Sequence, residues 1–378
     1  MTGDLAPYAM TDEQTQGRRF PEPRHPYRSD YQRDRDRVIH TKAFRRLEQK
    51  TQVFDPGYCD HFRNRLTHSL EVTQIARTVA GALRLNTDLC EVLALSHDIG
   101  HPPFSHDGEK ALNRLMQRHG SGFDHNLHAL RIVEYFEEKY VSFQGLNLTF
   151  EVREGIIKHS RDYPVGYKSY LDLGEYRLGE RPPLEAQLVD LADEIAYNSA
   201  DLDDGYESGL LTLDAILTHV RLFRSIYLKI EDRYPNASEK LKVSETVRSL
   251  IDTLASSLIR FTERRVRERG ITTVAEVRQC LERLPAFEPE VAEWNAEMKR
   301  FLHQHLYDHS VLKKGRLDAQ HVVETLFEHY LKKPETLPFS HYRRIDEQEL
   351  CRVVCDYIAG MTDTFARTRY AAIGKDEG

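Results

Sequence analysis

The chain reads as a mainly α protein on three observations. Apolar residues recur at spacings of three and four through most of its length, proline or glycine closes many of those segments, and no convincing alternating strand pattern occurs. Residues 1–26 hold Pro21, Pro23 and Pro26 among few apolar positions and read as an extended arm. Helical spacing begins near Tyr31 and continues in segments 66–85, 89–99, 111–116, 127–136 and 184–202. It resumes in 213–230, 241–261, 291–306, 322–331 and 350–366. Stops fall at Gly100-His101-Pro102-Pro103, Gly120, Pro182-Pro183, Pro235, Gly270, Pro285 and Pro334. Residues 140–150 suggest a short irregular or extended piece, and no internal repeat or low-complexity block is present.

With 378 residues, 40% hydrophobic and 30% charged, the composition is that of an ordinary globular protein with ample core material. A formal net charge of −7 argues against general affinity for nucleic acid. Locally the balance differs: between Arg24 and Lys50 nine Lys/Arg face four Asp/Glu, a solvated face or a phosphate-holding patch. The five cysteines, Cys59, Cys90, Cys280, Cys351 and Cys355, have no disulfide or zinc spacing and read as reduced, mostly buried thiols. The start, MTGDLAPYAMTDEQ, lacks a basic segment followed by an apolar one, and no stretch approaches 18 apolar residues. The expectation is a cytoplasmic protein without a membrane span.

Histidine is where chemistry concentrates. Eight of the 18 histidines fall between His61 and His128. A lone histidine is usually a hydrogen-bonded core or surface residue, but a cluster of imidazoles suggests metal ligands. His97-Asp98 end an apolar helix, where an ionised aspartate would be costly to bury without a cation. His68 opens a second amphipathic helix behind Arg63-Asn64-Arg65. In LEAQLVDLADEIAYNSADLDD, Asp190, Asp193, Tyr197 and Asp201 share one helical face, with Leu188, Leu191 and Ile195 opposite. Alone that row is a solvated face; beside a histidine cluster it reads as a site. Two His and two Asp suit a mid-row divalent metal or Mg²⁺. No GxxxxGK[ST], GxGxxG or GxSxG motif occurs, so phosphate chemistry here would be metal-assisted hydrolysis.

The order His68, His97-Asp98, Asp193 resembles the ligand set of the HD superfamily. More specific are the blocks YRSDYQRDRDRVIHTKAFRRLEQKTQVF (27–54), RNRLTHSLEV (63–72), HDIGHPPFSHDGE (97–109), FDHN (123–126), LEAQLVDLADEIAYNSADLDD (184–204) and DYIAGMTD (356–363). Together they resemble the dGTPase-like deoxynucleoside triphosphate triphosphohydrolases, in order and across nearly the whole chain. The resemblance implies a helical HD-domain catalytic core over 27–210 and additional C-terminal helices over 211–378 that pack on it and serve oligomer contacts. It implies that His68, His97, Asp98 and Asp193 bind a divalent ion (Mg, Mn, or another transition metal such as Co, Ni or Fe). His101, His106 and His125 would face the α-phosphate, His125 as general acid oriented by Asp124, and Arg65 would hold phosphate oxygens. Gln52 and Val53 would meet the sugar, with Tyr197 and Asp201 sensing the deoxyribose and its 3′-hydroxyl. The implied reaction is attack of a metal-activated water on the α-phosphorus, releasing deoxynucleoside and inorganic triphosphate from dGTP or a wider range of dNTPs. A homo-oligomer with dNTP effectors is a further implication.

Two departures bear on substrate range: His128 stands where many relatives carry Gln, and Ser105 where Gly is common. The alternatives are an HD nucleotide phosphomonoesterase or phosphodiesterase, and a nucleic-acid-binding regulator on the same fold. The latter would use Arg24–Lys50 or Arg260–Arg269, and its binding would weaken steeply with salt. Net charge gives single-stranded DNA binding no support. DYIAGMTD has no evident chemical role; Tyr357, Ile358 and Met361 read as core packing.

Overall fold

The computed structural model describes residues 5–54 and 61–376. Among them the regular structure is helical, and β pairing is confined to the isolated bridges Arg18–Thr149 and Thr51–Asn64. The helices are α1 (Asp30–Ile39), α2 (Lys42–Arg46), α3 (Arg65–Ala82), α4 (Thr87–Ser96), α5 (Ser105–Gln117), α6 (His125–Arg131), α7 (Phe150–Ile157) and α8 (Leu184–Glu207). They continue as α9 (Leu213–His219), α10 (Arg221–Arg233), α11 (Glu239–Glu268), α12 (Val274–Gln279), α13 (Pro289–Leu302), α14 (Ser310–Lys332), α15 (Phe339–Tyr342), α16 (Leu350–Ala359) and α17 (Asp363–Asp376).

Helix α4 is the hub. Asn86 caps it by accepting the N–H groups of Asp88 and Leu89. Its residues 89, 90 and 92–96 are all buried, against α1, α3, α7 and α8. Only its first turns show a polar edge, Thr87, Asp88 and Glu91; its second half is buried throughout and delivers His97-Asp98 into the interior. Gly100, just beyond, is where the chain passes α6: a Cβ there would collide with the carbonyl oxygen of His125 and the backbone of Ala129. The stop after the HD pair is therefore also a close-approach site that brings two histidine-bearing segments together.

Two hydrophobic clusters divide the interior. The larger joins α1–α4 and α6–α13; the smaller joins α5, α14, α16 and α17. Segment 213–230 is two helices, broken at Val220, and segment 350–366 is α16 and α17, interrupted at 360–362. The second break has a physical reason, because Asp363 turns inward and spends its carboxylate on loop N–H groups. Segment 127–136 is α6 continued by a wider π turn, Ile132–Phe136.

Residues 5–29 are not helical, yet they are docked: Ala6, Ala9 and Met10 are buried in the larger cluster. Most arginines of the 24–50 stretch are spent internally. Arg33 and Arg37 pair with Glu22, Arg28 and Arg35 with Asp36, and Lys50 is buried. Arg265 of α11 and Arg269 just past its end share Glu282. Of the cysteines, Cys90, Cys351 and Cys355 are buried, Cys280 is half-buried, and all four are free thiols; Cys59 lies outside the described residues. No helix among the described residues is long and apolar enough to cross a membrane.

The arm is held by Glu185 of α8, whose Oε1 accepts the N–H groups of Met10 (2.8 Å) and Asn86 (3.1 Å). Oε2 is buried without a partner, and burial pushes the pKa from 4.5 up to about 7. Between those values the folded protein keeps a proton that the unfolded chain releases, so stability falls as pH rises through this window. The contribution of this one group is about 3 kcal/mol. Glu185→Gln should flatten the decline in melting temperature between pH 5 and pH 8, as thermal melts at both pH values would show.

Candidate active site

The N-terminus of α3 is set by a capping box of Asn64 and Thr67, which places Arg65 and His68 on its first turns. Both point inward and are almost wholly buried. His68 Nε2 lies 2.8 Å from Asp193 Oδ1, across from α8. His97 Nε2 lies 3.4 Å from Asp98 Oδ1 and 3.7 Å from Asp193 Oδ1. The four residues expected to bind a metal are thus brought together from α3, the end of α4 and α8. Donor atoms of His68, His97 and Asp98 lie within 4.8 Å of one another, as do those of His97, His159 and Asp193.

The protonation pattern tests whether a cation fits. His97 Nδ1 lies 2.6 Å from the carbonyl oxygen of Ala94, which only accepts, so Nδ1 carries the proton. Its Nε2 is then an unshared pair, buried, without a donor, and directed at two carboxylates. Such a group costs on the order of 1–3 kcal/mol unless something positive lies between. Burial alone would raise the pKa of Asp98, but Arg65, His97 and His101 outweigh it and hold the carboxyl well below its usual range. At Asp193 burial is likewise outweighed, here by His159, His68 and His97. Two ionised carboxylates and unpaired imidazole nitrogens in one buried cluster are what a divalent cation requires.

Beside this centre lies a second group. His101 stacks on His125 with ring centroids 3.9 Å apart, and its Nδ1 is 3.0 Å from Asp98 Oδ1. Burial first, then Arg65 and His125, push the His101 pKa well down, so its imidazole stays neutral. His125 begins α6, and its Nδ1 meets Glu109 Oε1 at 2.8 Å. Glu109 also accepts the His125 backbone N–H at 3.0 Å, and lies 3.6 Å from His106, whose side chain is largely exposed. Burial acts to raise the Glu109 pKa, yet its bonds to His106 and His125 bring it far below the ordinary value. The carboxylate that orients His125 is therefore Glu109. Asp124, expected in that role, caps α6 through the Leu127 N–H and pairs with Arg161 at 2.5 Å.

Arg65 lines the cavity, but its terminal nitrogens already bond Asp98 (2.6 Å) and Ser105 Oγ (2.8 Å). It supports the centre and the loop at once. Gln52, Val53 and Tyr197 also line the cavity, which encloses about 1400 Å³. Asp201 is set back and buried, accepting the hydroxyl of Tyr307, whose ring stacks on Tyr197 at 5.9 Å. Burial raises the Asp201 pKa to about 7. The cavity wall further carries Lys110, Arg161, Lys168, Arg316 and Arg367. Of these additions Glu109 had a signal in the sequence, one helical turn past His106. His159 and Tyr307 are isolated in theirs and gave none.

DYIAGMTD gains a role. Phe104 and Ser105 both have left-handed backbone, φ 63° and 57°, which is strained for side-chain-bearing residues and accounts for Gly being common at the second position. Asp363 Oδ1 accepts the Phe104 N–H at 2.9 Å and Oδ2 accepts the Thr51 N–H at 2.9 Å. Lys50 Nζ donates to the carbonyl oxygens of His101 and Ala359. Asp356 pairs with Arg131 and lies 3.5 Å from His128. Both aspartates thus fasten histidine-bearing segments to the C-terminal helices.

An all-helical fold on which His, His-Asp and Asp from three helices meet defines an HD-domain hydrolase. The HD domain family model matches residues 65–198, and the phosphohydrolase-associated domain matches 286–372. The chain is 46% identical over 365 residues to a deoxyguanosinetriphosphate triphosphohydrolase-like protein of Geobacter sulfurreducens, covering 96% of this chain and 93% of that one. So-named proteins of Thiobacillus denitrificans and Nitrosomonas europaea are each 45% identical, covering 99% and 98% of this chain and 98% of each relative. The chain belongs to the deoxyguanosinetriphosphate triphosphohydrolase-like family.

Asp363→Ala would leave the Phe104 and Thr51 N–H groups without acceptors, a loss of about 1–3 kcal/mol. The variant should melt lower in urea titrations while retaining its helical circular dichroism.

Proposed function

We propose that the protein hydrolyses deoxynucleoside triphosphates, dGTP or a wider set, to deoxynucleoside and inorganic triphosphate, with a divalent cation held by His68, His97, Asp98 and Asp193. The observation that supports this most is the buried, donorless Nε2 of His97 between Asp98 and Asp193. When bound, the cation neutralises charge on the phosphoryl oxygens and activates water. Its identity is open among Mg, Mn, Co, Ni and Fe.

The remaining chemistry belongs to the chain. Glu109 fixes the proton of His125 on Nδ1, so Nε2 is the nitrogen available to give or take a proton. Held in this orientation by Glu109, His125 suits the acid that protonates the departing O5′. His101, kept neutral with its Nδ1 proton toward Asp98, presents an unprotonated Nε2 that can accept one hydrogen bond at the site without titrating. The cavity exceeds the ~300–1,000 Å³ of usual small-molecule pockets, as an elongated ligand requires. Its lysines and arginines suit the β- and γ-phosphates. Tyr197, backed by Tyr307 and Asp201, closes the wall where a 2′-hydroxyl would project. Residues of α14 and α17 complete this wall, so the 211–378 region is part of the catalytic unit as well as its brace.

The decisive assay incubates purified protein with each dNTP and NTP under Mg²⁺, Mn²⁺ and Co²⁺, resolving triphosphate from pyrophosphate and phosphate. Triphosphate from dNTPs, with GTP a poor substrate, is expected; orthophosphate as sole product would instead indicate a phosphomonoesterase. His97→Ala with Asp98→Ala should abolish metal uptake and turnover. His125→Ala and Glu109→Gln should keep the metal but lower kcat by ~10²–10⁴-fold, the usual contribution of a positioned acid.

A further inference from the structure

Resting on the cation reading above, we propose that His159 is a fifth side chain of the metal centre, selecting a first-row transition metal over Mg²⁺. His159 follows α7, in a turn where Ser160 has φ 52°. It is buried, lines the cavity, and its ring lies 5.2 Å from that of His97. Its Nε2 is 3.7 Å from Asp193 Oδ2, the oxygen opposite the one that meets His68. Asp193 therefore faces an imidazole with each oxygen. Because His97 belongs to both close donor groups, the five side chains form one continuous cluster.

The outer face of His159 is built as metal-bound imidazoles usually are, with a carboxylate behind the ring. Its Nδ1 lies 2.8 Å from Asp190 Oδ1, one helical turn before Asp193 on the same face of α8. Asp190 is itself fixed: it accepts the Ser160 N–H at 2.8 Å and pairs with Arg283. Arg283 also donates to the carbonyl oxygens of Lys158 (2.7 Å) and Arg161 (2.9 Å), bracing the turn on both sides of His159. With Asp190 ionised against Arg283, the ring proton sits on Nδ1 and the unshared pair of Nε2 faces Asp193. Two acceptors so placed call for a cation between or beside them.

The consequence is selectivity. Two imidazoles and two carboxylates leave a site that hydrated Mg²⁺ can use, since Mg²⁺ prefers oxygen and keeps its waters. A third imidazole shifts preference toward Mn²⁺, Fe²⁺ or Co²⁺, for which nitrogen is a good ligand. The competing arrangement is a doubly protonated His159 bridging Asp190 and Asp193, which would leave metal preference unchanged.

The test uses full-length protein stripped by chelator: wild type, His159→Ala, His159→Gln and Asp190→Asn. Mn²⁺, Co²⁺ and Mg²⁺ affinities are measured by competition with a chromophoric chelator, and the visible spectrum of the Co²⁺ form is recorded. Removing His159 should weaken Mn²⁺ and Co²⁺ binding about 10–100-fold and change the Co²⁺ band, with Mg²⁺ affinity little altered. Asp190→Asn, which keeps ring and volume, should act in the same direction more weakly. Unchanged affinities and spectrum in both His159 variants would overturn the assignment, as would a raised KM for nucleotide with metal binding intact. Wild-type protein that takes up no metal at all would instead overturn the cation reading itself.

Discussion

The site depends on negative charge and unshared nitrogen pairs being forced together inside an apolar interior. Asp98 is delivered there by the fully buried second half of α4, and Asp193 stands half-buried on the row of α8 that faces the cavity. Arg65 answers one oxygen of Asp98, while the other faces imidazoles. A carboxylate so enclosed is tolerable only when paired. Much of the local architecture follows from that requirement, including the Ala94 carbonyl that fixes the proton of His97.

A second constraint is mechanical. Helices α3, α4 and α8, which bring the His/Asp cluster together, belong to the larger hydrophobic cluster, whereas Glu109 rides on α5 in the smaller one. The Glu109–His125 bond spans the two, so its length is set by how the clusters sit against each other. Three polar ties cross the same boundary: Asp363 to Thr51, Lys50 to Ala359, and Asp356 to Arg131. Lys50 is almost wholly buried, so solvent is excluded at this junction, and burial lowers its pKa to about 7.

Helix content and the apolar run of α4 were legible from short-range periodicity, and the grouping of His68, His97, Asp98 and Asp193 from the resemblance of contiguous motif blocks to the HD superfamily. Helix breaks at Val220 and 360–362 were not, since apolar spacing continues through both and the cause at Asp363 is a partner some 259 residues away. The same distance problem hid His159. Its carboxylate, Asp190, lies 31 positions on, in a row the sequence marked as a site without tying it to His159. Asp124 was chosen to orient His125 because it is the adjacent residue. As a helix cap its side chain is directed at the α6 N–H groups, and Glu109, 16 positions earlier, reaches the ring instead.

Proton handling and metal holding share one element, the HDIGHPPFSHDGE run. Its first two residues join the His/Asp cluster, His101 stands between the groups, and Glu109 bonds His125. Thirteen residues can serve both purposes only if the chain reverses sharply in the middle, and the left-handed pair Phe104–Ser105 makes that reversal. Backbone strain of about 1–3 kcal/mol per residue must then be offset by fixed partners. Asp363 on the Phe104 N–H and Arg65 on Ser105 Oγ are those partners. The C-terminal helices are thereby tied to catalysis through the conformation of a turn, although their aspartate touches no proposed ligand or acid.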